Sequence, residues 1–582
     1  MVDTEKLHNL RHSLAHLLAA AVMELYPDTK RTIGPSIDNG FYFDFEFSKP
    51  ISDADLPKIE KIMRKILPTW NKFEKSEFTG DEAKKEYPDN PYKYELIDEF
   101  TKDGQKVTFY KSGDYWDLCK GGHVENMKEV SPDCFKLDRV AGAYWRGDEK
   151  NKMLTRIYGL AFETKEELDK YINQRIEAEK KDHKKLGREL DLFVVDEEVG
   201  KGLPMWTPKG TIIKFELENF TRELERKYGY KHVSTPYLGS EKLYKTSGHL
   251  SHFKQNMYAP IDMDGDIFYL RPMACPHHIR MYQRRPWSYK ELPIRYAEIA
   301  DYNRYEKSGE LMGMIRVRKF QLTDGHIFVT PEGLKDEFKR VCQMIVEGMK
   351  GLGLMDIVSY RFSKRDPKNR EKYYPDDDLW NHAESLMKKA IDELGLSYVE
   401  AEDEAAFYGP KLDVQAKNVN GKEDTLFTAQ MDFLLPEKFD IEYTDQEGKK
   451  KRPVMIHRST IGSLERVFGF LIEHYAGAFP LWLSPVQVKV IPVRENHNEY
   501  AKKVFELLEA NNIRAELDDA DENLGSKVRD VKNNKIPYWI VIGDKEIGDN
   551  KVTLESRDSG QLGQMSSEEL VKKLLEEIKN KK

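Results

Sequence analysis

Three residues of this 582-residue chain have the types that bind a catalytic zinc ion: Cys275, His326 and His457. One thiolate and two imidazoles leave the fourth position of a tetrahedral zinc ion free for water or a substrate. The three residues lie 51 and 131 positions apart, which matches no local metal motif. Because a buried cysteine also behaves as a small apolar residue, two interpretations stay open, a ligand-binding zinc site or three separate structural side chains.

Arginines in two segments are the candidates for binding phosphate. Arg304-Tyr-Glu306 ends one strand-like run, and Arg316 and Arg318 begin the next, where their alternation predicts that both project from one face of a sheet. Arg466 begins a helix just after the strand that carries His457. Guanidinium groups clamp phosphate oxygens, and the sequence has no glycine-rich phosphate loop. The alternative is an exposed hairpin and a surface arginine.

A second group of histidines and a cysteine lies nearer the N-terminus. His12 and His16 are four residues apart, on one face of a predicted helix, and Cys119 and His123 flank a glycine pair. These residue types can bind zinc, or can form a metal-free hydrolytic site in which an imidazole acts as the base. A histidine pair on a helix is also commonly structural.

Length and composition restrict the class of protein. A chain of this length predicts three or four domains, and 39% hydrophobic with 33% charged residues is typical of a soluble, folded protein. We expect a cytoplasmic protein without a membrane span, because apolar runs are short, a signal-peptide pattern is missing and four scattered cysteines do not form a disulfide framework. The net charge of −8 argues against nonspecific coating of nucleic acid, but local basic surface can still bind it.

Periodicity predicts a multi-domain α+β protein. Residues 1–162 form an α+β domain, and the charged segment 163–189 is a solvated linker helix. Residues 190–484 form the largest domain, an antiparallel sheet flanked by helices, in which one strand covers 315–329. Residues 485–582 alternate strands and helices as a small α/β domain.

Taken together, these motifs resemble those of the threonyl-tRNA synthetases, which are class II aminoacyl-tRNA synthetases, over essentially the whole chain. The segment from Arg304 to Arg318 resembles motif 2 of that class, and Gly462-Ser-Leu-Glu-Arg466 resembles motif 3. Residues 211–236 resemble motif 1, which builds the dimer interface in this class. The resemblance implies an editing domain, a class II catalytic domain, a C-terminal anticodon-binding domain and a homodimer.

The resemblance also implies roles for individual residues. Cys275, His326 and His457 match the ligands of one zinc ion per subunit, and Mg²⁺ accompanies ATP. The residues that match the catalytic groups and the pocket for threonine and ATP are Arg304, Arg466, His249, Lys411, Glu306, Arg316, Asp324, Tyr408 and Gln430. Those that match the editing site are His12, His16, Lys93, Asp117, Cys119 and His123. Arg529 and Glu546 match residues that read anticodon bases.

The implied activity is ATP-dependent ligation of L-threonine to tRNA(Thr), with hydrolysis of mischarged seryl-tRNA at an editing site that works without a metal. The sequence departs from the family at Asn303, Leu322 and Glu555, and we expect it to lack the small N-terminal ubiquitin-like domain. Two rival classes are a catalytically silent tRNA-binding paralogue and a freestanding editing hydrolase. Intact motif arginines and zinc ligands argue against the first, and the long region 190–484 argues against the second.

Overall fold

The computed structural model describes residues 4–373 and 375–581. The chain forms two compact units that divide between Ile176 and Glu177. Within the described ranges, every helix is too short or too polar to cross a lipid bilayer.

The first unit is an α+β structure. Its sheets have the strand orders β1-β3-β8-β7, with β2 also paired to β3, and β4-β5-β6. Leu14, Leu17 and Leu18 on one face of the first helix are fully buried, in a core that also contains Phe41 and Phe43. The helices and strands are α1 (Thr4–Leu25), β1 (Lys30–Arg31), β2 (Ser36–Ile37), β3 (Gly40–Glu46), α2 (Leu56–Ile66), β4 (Glu74–Phe78), α3 (Gly80–Lys85), α4 (Pro91–Phe100), β5 (Val107–Ser112), β6 (Tyr115–Leu118), β7 (Phe135–Tyr144), β8 (Met153–Ala161) and most of α5 (Lys165–Lys181).

The second unit is built around an eight-stranded sheet. Its helices and strands before the C-terminal region are α6 (His183–Glu189), β9 (Phe193–Val194), β10 (Met205–Trp206), α7 (Pro208–Lys227), β11 (Lys231–His232), β12 (Leu238–Ser240), α8 (Glu241–Ser247), α9 (His249–His252), β13 (Ile261–Met263), β14 (Asp266–Leu270), α10 (Cys275–Tyr282), β15 (Ile294–Asn303), β16 (Lys319–Val329), α11 (Leu334–Leu352), β17 (Val358–Ser363), α12 (Asp377–Glu393), β18 (Tyr398–Ala401), β19 (Lys411–Lys417), β20 (Glu423–Asp432), α13 (Leu434–Lys438), β21 (Tyr443–Thr444), β22 (Lys450–Lys451), β23 (Val454–Ser463) and α14 (Leu464–His474).

The strand order of the large sheet is β11-β15-β16-β23-β20-β19-β17-β18. All its pairs are antiparallel except the two at the edges, β11 with β15 and β17 with β18. Helices α7, α11 and α14 pack on this sheet, and their apolar residues, with those of the strands, form the largest core of the protein. The predicted antiparallel sheet flanked by helices is therefore confirmed.

The C-terminal region has a separate mixed sheet, with strand order β25-β24-β26-β27-β28. Its first three strands are parallel and its last two pair antiparallel, as expected for a small α/β structure. The elements are β24 (Val488–Pro492), α15 (Asn498–Ala510), β25 (Ala515–Leu517), α16 (Leu524–Asn533), β26 (Tyr538–Ile542), α17 (Asp544–Asp549), β27 (Val552–Ser556), β28 (Gly560–Met565) and α18 (Ser567–Lys579).

Two local predictions differ from the structure. The segment predicted as one solvated helix is broken at Asp182, whose side chain accepts hydrogen bonds at the N-terminus of α6, and His183 beyond it is buried. The strand predicted over 315–329 begins only at Lys319, because Met312 and Arg316 exchange a backbone hydrogen bond across a turn. Arg316 and Arg318 thus lie in a loop and not on a strand face.

Candidate functional sites

One cross-strand row of the large sheet carries four of the predicted site residues. His326 on β16 lies directly opposite His457 on β23, His457 lies opposite Gln430 on β20, and Gln430 lies opposite Lys411 on β19. Side chains at directly opposed positions share a face, with Cβ atoms about 4.5–5.5 Å apart. Residues distant in sequence therefore meet because the strands pair in this register.

A cavity of about 340 Å³ lies over this row. Eleven predicted residues line it: Cys275, Arg304, Glu306, Arg316, Asp324, His326, Tyr408, Lys411, Gln430, His457 and Arg466. Arg318 is not among the lining residues, because its guanidinium group donates to the backbone carbonyls of Glu306 and Lys201. The structure thus brings together the candidates for metal and for phosphate binding.

The residues Cys275, His326 and His457 fit a zinc ion. One ligand atom of each lies within 4.8 Å of the others, and all three residues are buried. His457 Nε2 lies 2.6 Å from Asp432 Oδ2, so this nitrogen donates to the carboxylate and Nδ1 is left for a metal. Carboxylate-bonded imidazoles of this kind are typical of zinc ligands, and a set of three protein ligands leaves the fourth position open, as in catalytic zinc sites.

His326 is held by a longer chain of hydrogen bonds. Glu298 Oε2 lies 3.0 Å from His278 Nε2, and His278 Nδ1 lies 2.8 Å from His326 Nδ1. If His278 donates to Glu298, its other nitrogen accepts from His326, which leaves His326 Nε2 as a lone-pair donor. Burial, with the neighbouring His457 and His278, lowers the pKa of His326 well below its ordinary value, so the imidazole is neutral.

The two motif arginines lie half-buried beside the metal candidates. Arg304 Nε donates to the Pro272 carbonyl at 3.2 Å, and Arg466 Nε donates to the Ile315 carbonyl at 3.0 Å. Burial lowers the pKa of both guanidinium groups, although both stay charged at neutral pH. Because these hydrogen-bond partners are neutral, an anionic group bound in the cavity is the natural partner for both charges.

The remaining cavity residues are held by specific contacts. Arg316 Nε donates to Glu306 Oε2 at 2.9 Å, and the Tyr408 hydroxyl donates to Gln430 Oε1 at 2.5 Å. Tyr302, which sequence reasoning did not single out, donates to the Asp324 carboxylate. These contacts fix polar groups around the row, as a specific small-molecule site requires.

His249 lies behind the cavity and not on its lining. Its Nε2 atom is 4.0 Å from Cys275 Sγ, and its Nδ1 atom is 2.8 Å from Ser247 Oγ. Burial and the positive charge of Arg304 lower the pKa of His249 to about 3, so the imidazole is neutral at neutral pH. The residue is thus a neutral imidazole close to the candidate zinc ligands.

The predicted editing residues form a cluster in the first unit. Cys119 Sγ lies 3.4 Å from His12 Nε2 and 3.3 Å from His123 Nε2, and the rings of His12 and His16 are 5.1 Å apart. All of the predicted editing residues except His123 line a cavity of about 700 Å³. The helix α1 and the turn after β6 therefore converge, and His12 and His16 lie on one face of α1, as their i,i+4 spacing predicted.

Lys93 and Asp117 form a buried ion pair at this cavity. Lys93 Nζ lies 2.7 Å from Asp117 Oδ1, and Arg31 Nε lies 3.4 Å from the same oxygen. The hydroxyl groups of Tyr87 and Tyr115 also donate to this carboxylate. Arg31 and the two tyrosines were missed by sequence reasoning, since nothing in their spacing connects them to Asp117.

The editing cluster is uncharged around its thiol. Burial raises the pKa of the Cys119 thiol to about 11 and lowers the pKa of His16 to about 3 and that of His123 to about 2. At neutral pH the site therefore offers a protonated thiol and neutral imidazoles. Neutral imidazoles can act as general bases toward water.

Comparisons with known proteins assign these regions. Residues 254–475 match the tRNA synthetase class II core domain (G, H, P, S and T). Residues 107–158 match the threonyl and alanyl tRNA synthetase second additional domain. Residues 487–577 match an anticodon-binding domain. The three matches fall, in turn, on the large sheet, on the strands around Cys119 and on the C-terminal mixed sheet.

Full-length relatives decide the family. The chain is 49% identical over 578 residues to a threonine–tRNA ligase of Anoxybacillus flavithermus, covering 99% of this chain and 89% of that protein. The chain belongs to the threonine–tRNA ligase family. A Clostridium botulinum threonine–tRNA ligase is likewise 49% identical, over 98% of this chain and 89% of its own length. A structure titled the RNA binding domain of a Cryptosporidium parvum threonyl-tRNA synthetase is similar at a TM-score of 0.64 and 34% identity, over 68% of this chain and 98% of that one.

The predicted anticodon-reading residues are not brought together in one cavity. Arg529 on α16 is exposed and lines a cavity of about 720 Å³, whereas Glu546 on α17 is absent from that lining. The Glu546 carboxylate accepts from Thr553 Oγ1 at 2.7 Å. Arg557, near the unusual Glu555, donates to the carbonyls of Phe479 and Lys535.

Sequence reasoning missed several supporting residues of the catalytic cavity. Asp432 and the chain from Glu298 through His278 hold the two zinc-ligating imidazole candidates. His278 stands three residues after Cys275, and this proximity is the one local signal that could have found it. Asp432 and Glu298 lie within strands, where a carboxylate is not distinguishable from a solvent-facing residue by pattern alone.

Proposed function

We propose that this protein ligates L-threonine to tRNA(Thr) in two steps and hydrolyses seryl-tRNA(Thr) at a separate site. The observation that carries the proposal is the cavity in which a zinc-ligand set and two arginines with neutral hydrogen-bond partners meet. An ATP-dependent amino-acid ligase needs an amino-acid receptor beside a polyphosphate site. The full-length relatives named above, threonine–tRNA ligases, support the choice of amino acid.

In the first step, an oxygen of the threonine carboxylate attacks the α-phosphorus of ATP and forms the O–P bond of threonyl-adenylate, while the bond from the α-phosphorus to the bridging oxygen of the β-phosphate breaks and pyrophosphate leaves. Arg304 and Arg466 are placed to offset charge on the phosphates, Arg304 beside the zinc-ligand row and Arg466 at the start of α14. Arg316, held by Glu306, contributes a third guanidinium group to the lining. Mg²⁺ enters with ATP as part of this substrate.

Selectivity for threonine rests on the metal position. Threonine and valine are nearly isosteric, and an apolar pocket separates such pairs by only about 10²-fold. A zinc ion held by Cys275, His326 and His457 would supply an open coordination position that a hydroxyl group can occupy and a methyl group cannot. Tyr408, Gln430, Lys411 and Asp324 line the same cavity as polar groups.

In the second step, a hydroxyl of the terminal ribose of tRNA attacks the carbonyl of the adenylate, and AMP leaves. The base proposed for this transfer is His249, whose neutral imidazole is held by Ser247. His249 Nε2 lies 4.0 Å from Sγ of Cys275, a candidate zinc ligand, and this proximity supports the assignment.

Serine carries the same hydroxyl, so a second site is needed to remove it. At the editing cavity, a water molecule attacks the ester of seryl-tRNA, and serine and free tRNA leave. His12 and His16 are the proposed bases for this water, with Cys119 and His123 beside them. Lys93, held by Asp117, contributes an ammonium group to the cavity lining. We propose that this site acts without a metal.

We also propose the broader organisation that the family implies. The domains are an editing domain at 1–162, a linker at 163–189, a catalytic domain at 190–484 and an anticodon-binding domain at 485–582 that uses Arg529 and Glu546. Two subunits pair through the motif 1 region, which includes the long helix α7. The cytoplasm is the proposed location.

The experiment that tests the main activity is threonine-dependent exchange of pyrophosphate into ATP by the zinc-loaded protein. We expect exchange with threonine, weaker exchange with serine and little with valine. Equal exchange with valine, or none with threonine, contradicts the proposal. Release of serine from seryl-tRNA(Thr), measured on the same preparation, tests the editing activity separately.

A further inference from the structure

His183 connects α6 to the loop that carries Arg316. Its side chain is 1% exposed, and both ring nitrogens are engaged. Nδ1 lies 2.6 Å from Glu473 Oε1 on α14, and Nε2 accepts the backbone N–H of Met314 at 3.2 Å. Because a carboxylate cannot donate and the Met314 amide must, the hydrogen is on Nδ1 and the lone pair on Nε2.

The ligand types around His183 resemble a metal site, but their contacts indicate another role. One ligand atom of each of Asp182, His183 and Glu473 lies within 4.8 Å of the others. The Asp182 carboxylate, however, accepts the amide hydrogens of Lys184 and Lys185 at the N-terminus of α6. With both imidazole nitrogens also engaged, the group is a hydrogen-bonded junction.

On the loop side, the approach to His183 depends on a glycine. Gly313 has a φ of 48°, and a Cβ atom at this position would lie 2.2 Å from His183 Nε2. A side chain at this position would therefore displace the imidazole or the loop. The close packing brings the next amide, that of Met314, within hydrogen-bond distance of the ring.

The same short loop is held from its other side by a motif arginine. The Ile315 carbonyl accepts from Arg466 Nε at 3.0 Å, and Arg316, the next residue, pairs with Glu306. Ile315, Arg316 and Arg466 all line the catalytic cavity. The loop is thus held from two sides: Met314 bonds to the imidazole of His183, and the neighbouring Ile315 bonds to the guanidinium group of Arg466.

Glu473 extends the junction to a third element. Its second oxygen, Oε2, accepts the backbone N–H of Val419 at 3.0 Å, in the turn that joins β19 to β20. Both oxygens of this buried carboxylate are therefore bonded, which fixes the position of the His183 ring. The ring in turn has one lone pair, on Nε2, which accepts the Met314 N–H.

We propose that His183 is a positioning residue for ATP in the activation step. It fixes the Met314 amide, and through it the backbone from Ile315 to Arg316, so that Arg316 and Arg466 meet the phosphates in a prearranged geometry. The inference rests on the proposed function and adds to it a residue outside the cavity. Threonine binding, which uses the cross-strand row of the large sheet, does not depend on this contact.

Two substitutions separate the two bonds of the ring. His183→Gln places an amide group near the position of Nε2 and can still accept from Met314, whereas His183→Asn places its amide near Nδ1 and keeps only the contact with Glu473. We expect His183→Asn to lower kcat/KM for ATP in pyrophosphate exchange by about 10-fold, with KM for threonine unchanged. We expect His183→Gln to restore most of the loss.

Hydrogen exchange gives a readout that does not require activity. A peptide covering 308–318 should exchange faster in His183→Asn than in the wild type, and His183→Gln should resemble the wild type. His474→Asn, on the same helix as Glu473 but partly exposed, is the matched control and should change neither measurement. Unchanged hydrogen exchange in the other peptides of residues 177–581 reports that the second unit of each variant is folded.

Gly313→Ala reaches the same contact from the loop and keeps the test decisive if His183→Asn does not fold. Gly313→Ala should lower kcat/KM for ATP to the same extent and leave KM for threonine unchanged. The double variant with His183→Asn should be little more impaired than either single variant. The inference is overturned if His183→Gln is as impaired as His183→Asn or more so, or if Gly313→Ala leaves kcat/KM for ATP unchanged. If the wild type shows no pyrophosphate exchange, the proposed function is contradicted instead. The hydrogen-exchange comparison still tests the role of His183 in that case.

Discussion

His457 Nε2 lies 2.6 Å from the carboxylate of Asp432, a buried pair between adjacent strands β23 and β20. The carboxylate engages Nε2 and so leaves Nδ1 as the nitrogen available to a metal. It also makes the imidazole a better electron-pair donor, because the hydrogen on Nε2 is shared with a negative charge.

Replacing this carboxylate should weaken zinc binding without removing a ligand. We expect Asp432→Asn to lower zinc affinity about 10- to 100-fold, measured by competition with a chromogenic chelator. Asp440→Asn is the control, since the Asp440 side chain is 82% exposed and pairs only with Arg452 in the described structure. Equal zinc affinity in Asp432→Asn and the wild type would show that the carboxylate does not support the metal.

The zinc content distinguishes the two Cys/His clusters. We expect one zinc ion per chain by elemental analysis, bound through Cys275 and lost in Cys275→Ser. The cluster of His12, His16, Cys119 and His123 offers four donor atoms within 4.8 Å, yet we propose that it works metal-free. Two zinc ions per chain, with one surviving in Cys275→Ser, would disprove that part of the proposal.

Synthesis and editing should be separable by single substitutions. Cys275→Ser is expected to abolish threonine-dependent pyrophosphate exchange while seryl-tRNA hydrolysis persists. The reason is that Cys275 lines the cavity over the large sheet and not the cavity of the first unit. The reciprocal variant, His16→Gln, is expected to lose hydrolysis and keep exchange. Loss of both activities in either variant would contradict two independent sites.

Each motif arginine should matter for the activation step. Arg304→Ala and Arg466→Ala are each expected to lower kcat of pyrophosphate exchange about 10²-fold or more, as loss of a group that stabilises transition-state charge does. Arg318→Ala is the comparison, since its guanidinium group bonds to the backbone carbonyls of Glu306 and Lys201 and Arg318 does not line the cavity. Exchange reduced equally by all three substitutions would indicate a structural effect rather than loss of phosphate contacts.

The buried His16 should make the first unit sensitive to acid. Burial and the charge of His12 lower its pKa from 6.5 to about 3, so the unfolded chain takes up the proton first as the pH falls. Above pH 6.5, protonation of His16 does not reduce the free energy of unfolding. As the pH falls from 6.5 to about 3, this group lowers the free energy of unfolding by about 1.4 kcal/mol per pH unit. Relative to the wild type, His16→Gln should remove this slope.

The measurement is urea unfolding of the full chain at several pH values. Peroxide oxidation of Met63, which is fully buried in the first unit, reports unfolding there by mass spectrometry and does not depend on titrating thiols. Parallel pH dependences for the wild type and His16→Gln would mean that His16 does not carry the acid sensitivity.

Regular elements with strong periodicity were predictable nearly to the residue. The apolar residues over 334–352 recur at helical spacing and this segment is α11, and the strand-like run over 294–302 lies within β15 (Ile294–Asn303). The strand predicted over 315–329 failed at its start because Ile315-Arg316-Val317-Arg318 alternates like a strand. There the backbone is held in a turn by tertiary bonds from His183 and Arg466, which local pattern does not contain.

The sequence by itself determined which side chains are available for chemistry, since motif identity and residue type are local properties. It thereby determined the family and the candidates Cys275, Arg304 and Arg466. Only the tertiary structure decided that His326 lies opposite His457, that Asp432 and His278 orient these rings, and that His183 holds the loop of Arg316. The physical reason is that strand register and buried hydrogen bonds join residues far apart in the chain, and no periodicity records those pairings.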